Sequence, residues 1–132
     1  MKNVLFVLLS CSLVLSQPLV KAHGRFTAVG NVAKPRLLYT PSVTRTYRVS
    51  IYVEDETRAA SGFADYFPIV SYTSPYGATA VGLPFGPQAP NSWTGSDTFI
   101  VHSVSGSGIY FTSTEVPVNT DKIEYIWVIE SL

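Results

Sequence analysis

The segment Thr46-Tyr47-Arg48-Val49-Ser50-Ile51-Tyr52-Val53 alternates side chains with a period of two, and this constrains the chain more than any other feature. Tyr47, Val49, Ile51 and Val53 fall on one face and Thr46, Arg48 and Ser50 on the other, the pattern of a strand with one side in a core. Ile123 to Glu130 is instead apolar on both faces between terminal carboxylates, which predicts a central strand covered on two sides. Asp97–Val104 and Gly108–Thr114 are β-rich runs joined by Ser105-Gly106-Ser107. That short link predicts a hairpin, because its glycine can adopt the positive φ of a tight turn. Arg25–Val32, Arg36–Thr40, Phe67–Thr73 and Ala78–Leu83 complete a series of short strands separated by Gly, Pro, Ser and Asn. Such spacing predicts an all-β fold, a single antiparallel β-sandwich that is immunoglobulin-like, fibronectin-like or jelly-roll-like. The one helix-like piece, Asp55 to Ala60, has room for a turn or two.

The N-terminus reads differently. Lys2 supplies a positive start, Val4 to Leu15 form an apolar run, and Val20-Lys21-Ala22 offers residues suited to cleavage, the arrangement of a secretory signal peptide. Residues 1–22 are therefore expected to be removed, leaving a domain of residues 23–132 that begins at His23. An apolar run of about 12 residues is shorter than the ~20 needed to cross a bilayer. No membrane association is expected after cleavage, and the location expected is extracellular or periplasmic. Cleavage removes the single Cys, Cys11, and the single Met, so the sandwich contains no disulfide and must be held by its aromatic and β-branched residues. No asparagine begins a glycosylation sequon.

Charge excludes one class of partner. Nine Lys and Arg balance nine Asp and Glu without a basic run, so the electrostatic footprint for a nucleic-acid backbone is missing. Catalytic patterns are equally sparse: there is no Gly-x-Ser-x-Gly elbow and no phosphate-cradling glycine loop. The carboxylates Glu54, Asp55, Glu56 and Asp65 bunch around one loop rather than forming a spaced pair or a calcium loop. An enzyme is thus less expected than a binding protein.

Two candidate sites follow from residue type. Tyr72 and Tyr76, in Tyr72-Thr73-Ser74-Pro75-Tyr76-Gly77, and Phe85 and Trp93, in the Pro- and Gly-rich stretch 82–96, place rigid rings beside hydrogen-bonding groups in turn-rich sequence. Rings in such settings suit recognition of a carbohydrate or a protein surface. No cofactor is needed for that reading. The alternative is a copper site: a mature N-terminal His23 would offer its amine and imidazole, and His102 a third nitrogen, the tetragonal set Cu(II) prefers. A structural or inhibitory interaction protein is the remaining alternative.

Tyr39-Thr40-Pro41, Thr46-Tyr47-Arg48-Val49, Gly106-Ser107-Gly108-Ile109, Asn119-Thr120-Asp121 and Glu124-Tyr125-Ile126 form an ordered series of short matches that resembles the fungal immunomodulatory proteins. The resemblance implies an immunoglobulin or fibronectin-type sandwich, binding of cell-surface glycans, and a homodimer.

Overall fold

A computed structural model describes residues 18–29, 32–55, 65–82, 94–116 and 122–132. These described residues form eight strands: β1 (Leu19–Val29), β2 (Val32–Tyr39), β3 (Arg45–Asp55), β4 (Asp65–Ser74), β5 (Gly77–Gly82), β6 (Thr94–Ser103), β7 (Ile109–Val116) and β8 (Lys122–Ser131). They form two four-stranded sheets, ordered β1-β8-β3-β6 and β2-β7-β4-β5, and every ladder is antiparallel. The chain therefore passes from sheet to sheet at nearly every connection, and β4–β5 is the hairpin. This is the double Greek-key arrangement of a jelly roll, so of the sandwich types expected the jelly roll is the one formed. The connectivity is not that of an immunoglobulin or fibronectin domain.

The alternating residues of β3 face inward as expected: Tyr47, Val49, Ile51 and Val53 are all buried. They meet Ile123, Tyr125 and Ile129 from β8, Phe99 and Val101 from β6, and Val70, Ile109 and Phe111 from the opposite sheet. Each such side chain, fully withdrawn from water, contributes on the order of 1.5–3 kcal/mol before entropy is counted. Aromatic rings do much of the work that a disulfide would do elsewhere. Phe26 stacks on Tyr125 with centroids 4.9 Å apart, Phe111 lies 5.2 Å from Tyr125, and Phe26 meets Phe111 edge-on at 6.0 Å. Their polar ends are satisfied inside: the Tyr125 hydroxyl lies 3.1 Å from Ser113 Oγ, and the Tyr47 hydroxyl donates to the Val43 carbonyl at 2.8 Å. Burial, first, and the nearby Tyr39 raise the Tyr47 pKa, with Arg45 opposing them.

Two expectations are corrected. The runs around Ser105-Gly106-Ser107 do not form a hairpin, because β6 lies in one sheet and β7 in the other. Gly106 does adopt a positive φ of 79°, but the link is tied to other segments. Gly106 N–H donates to Pro41 O at 2.8 Å, Val104 N–H to Thr73 O at 2.9 Å, and Ser105 N–H to Thr44 Oγ1 at 3.0 Å. These bonds turn the chain across the sandwich instead of back along the same sheet. Strand β8 is central, between β1 and β3, but only one of its faces is covered; Ile126 remains 39% exposed on the other. Strand β1 begins at Leu19, four residues before His23. The helical turn expected within 55–60 falls largely outside the described residues.

Candidate functional site

The outer face of the sheet β1-β8-β3-β6 is built from the residues that alternate with the core. Register aligns Thr94, Glu54, Glu124 and Thr27 in one row across the four strands, and Ser96, Tyr52, Ile126 and Arg25 in the next. Tyr52 is 49% exposed there, and a concavity of about 330 Å³ is lined by Tyr52, Glu54, Thr94, Ser96 and Ile126. An aromatic ring thus stands beside an aliphatic side chain, two hydroxyls and a carboxylate.

The electrostatics of this face are uneven. Glu54 and Glu124 are directly opposed in the β3–β8 ladder, where like charges repel. Arg25 offsets Glu124 at 3.8 Å, whereas Glu54 has no ion pair or hydrogen bond among the described residues. Further along the strands, Arg48 Nε donates to Glu130 Oε2 at 2.7 Å. That hydrogen bond, more than the charge attraction that accompanies it, raises the Arg48 pKa, and the same bond holds Glu130 below the ordinary carboxylate value.

The aromatic residues expected from sequence do not gather into one platform among the described residues. Tyr76 sits at the tip of the β4–β5 turn and is 99% exposed. Its amide N–H donates to Ser74 Oγ at 3.1 Å, so the turn itself is tied down. Tyr72, by contrast, is half-buried against the hydrophobic core. Phe85 and Trp93 lie outside the described residues. Sequence reasoning passed over Tyr52, although it falls on the polar face of β3 with Thr46, Arg48 and Ser50. A large ring on that face was the available signal.

The two histidines of the copper alternative both point outward from this sheet, but from its opposite edge strands. Three strand spacings separate β1 from β6, about 14 Å. His23 is aligned through Val128 and Ser50 with Thr98, four residues from His102, which adds about 13 Å along the strands. Two nitrogens bound to one ion at ~2 Å each cannot span that separation. His102 Nδ1 is instead 3.0 Å from Thr46 Oγ1, and the described residues contain no group of three or more His, Cys, Asp or Glu arranged to hold a metal.

The strand order and the exposed sheet face define a jelly-roll β-sandwich, and known structures agree with that class. The chain is similar in fold to the globular domain of zebrafish complement 1qA protein, with a TM-score of 0.59 over 85% of this chain and 97% of that one. At 9% identity the likeness is one of fold. No protein-family model matches the chain, and no curated protein sequence matches it.

Proposed function

We propose that the protein is a secreted, non-enzymatic binding module that recognises carbohydrate through the outer face of the β1-β8-β3-β6 sheet. The observation that carries this reading is Tyr52, half-exposed on a strand whose alternate residues form the core, over a concavity that also presents Glu54, Thr94 and Ser96. An aromatic ring offers a flat apolar surface to the C–H face of a sugar, while hydroxyls and a carboxylate accept or donate to its hydroxyls. Binding by an extended face needs no cofactor and no moving part. Secretion rests on the signal-like residues 1–22, and Tyr76 at the β4–β5 tip supplies a second exposed ring.

A glycan array, followed by calorimetry on the best saccharide, tests the reading with Tyr52→Ala and Tyr76→Ala. The expected result is binding that weakens roughly tenfold in Tyr52→Ala, about 1.4 kcal/mol, with an unchanged unfolding temperature. Loss in Tyr76→Ala alone would move the site to the turn. No binding to any saccharide would overturn the proposal.

A further inference from the structure

A second concavity, of about 460 Å³, opens between the edge strands β1 and β2 of the two sheets. Phe26, Ala28, Val32 and Pro35 give it apolar walls, and Lys34 and Arg36 are its charged residues. None of the described residues that line it carries a hydroxyl, amide or carboxylate side chain, so these walls do not offer the groups that would bond a sugar. Its volume lies within the ~300–1,000 Å³ usual for small-molecule sites.

The two cations have no compensating charge among the described residues. Neither Lys34 nor Arg36 makes an ion pair among the described residues. The Arg36 guanidinium lies 4.0 Å from the centroid of the Phe26 ring, and that ring is held in place by its stack on Tyr125. A guanidinium on an aromatic face keeps its planar edge of N–H donors available for a carboxylate.

We infer that this groove binds a free long-chain carboxylate, with the head group on Arg36 and Lys34 and the alkyl chain laid over Ala28, Val32 and Pro35. Charge complementarity selects the anion, because a carboxylate gives these two cations a partner that no described residue supplies. The apolar walls select the chain, because they offer dispersion contacts and no hydrogen bonds. This site lies on other residues than the Tyr52 face, so the two readings stand or fall separately.

Calorimetric titration of the purified protein with dodecanoate, below its micelle concentration, provides the test. One-to-one binding is expected, at least tenfold weaker in the double variant Lys34→Gln, Arg36→Gln and unaltered in Tyr52→Ala. Both substituted side chains are exposed, and an unchanged unfolding temperature will confirm that the double variant folds. Dodecyltrimethylammonium, with the same chain and the opposite charge, is expected not to bind. Absence of dodecanoate binding, equal binding of the two amphiphiles, or full retention in the double variant would each overturn the inference. Binding confined to anionic lipid vesicles would also overturn it and indicate a membrane surface instead.

Discussion

Ser113 shows how this small core accommodates a buried hydroxyl. Its Oγ lies 3.1 Å from the buried Tyr125 hydroxyl and accepts a hydrogen bond from Val32 N–H at 3.3 Å, so one side chain joins β8, β7 and β2. Removing the oxygen takes a partner from both groups, and a buried polar group deprived of its bond costs about 1–3 kcal/mol. Ser113→Ala is therefore expected to lower the unfolding free energy by an amount in that range, read as a lower urea midpoint at an unchanged slope; a midpoint equal to the parent's would show the bonds to contribute nothing. The Arg48–Glu130 pair gives a pH dependence of definite sign. Because the Glu130 pKa is lowered on folding by its bond to Arg48, its contribution is present above the unfolded value of about 4.3 and is lost as pH falls through the lowered folded value. Thermal unfolding of the parent and of Glu130→Gln should differ at neutral pH and converge in acid. A gap that persists or widens in acid would show that the pair does not act this way.

At the scale of strands, the β1–β8 ladder is organised by a glycine opposite a tryptophan. Gly24 pairs with Trp127 in register, and a Cβ added at Gly24 would lie 2.7 Å from the Trp127 ring. The ring thus covers the backbone where β1 has no side chain, a cross-strand arrangement that pins register. Gly24→Val is expected to destabilise by about 1–3 kcal/mol through overpacking, and to shift the tryptophan emission as the ring is displaced. Emission and stability both like the parent's would mean that the ring moves aside without cost. The same scale explains the hairpin that does not form. A turn residue such as Gly106 is recognisable locally, but the bonds to Pro41, Thr44 and Thr73 that carry the chain to the other sheet join residues more than thirty positions away.

For the molecule as a whole, the first strand closes the fold against the last. Leu19 pairs with Ser131, Val20 with Glu130 and Ala22 with Ile129, so cleavage after Ala22 would leave the end of β8 without its neighbour on that side. A chain starting at Pro18 should accordingly unfold at a higher temperature than one starting at His23, by several degrees if Ile129 becomes accessible. Equal unfolding temperatures would show that residues 19–22 add nothing to the sheet. The two outer cavities also belong to this scale. One lies on the face of a sheet and gathers residues from strands distant in the chain, whereas the other lies between the edges of two sheets and is lined by the consecutive strands β1 and β2.

Much of the fold was legible in the sequence. Most β-rich runs became strands, although Arg25–Val32, read as one, is divided between β1 and β2 in different sheets; the inward face of β3 was the alternating apolar one, because the direction of a side chain on a strand depends on neighbours two residues away. The lack of a disulfide followed from composition. Pairing was decided by the tertiary structure: a strand's hydrogen-bonding edges are alike along its length, so its partner is chosen by how whole sheets cover one another's apolar faces. This is why β6 and β7 parted, why one face of β8 stayed open to water, and why Tyr52 and Ile126 came together on it. For the same reason His23 and His102, whose residue types alone suggested a common ion, ended on opposite edges of one sheet.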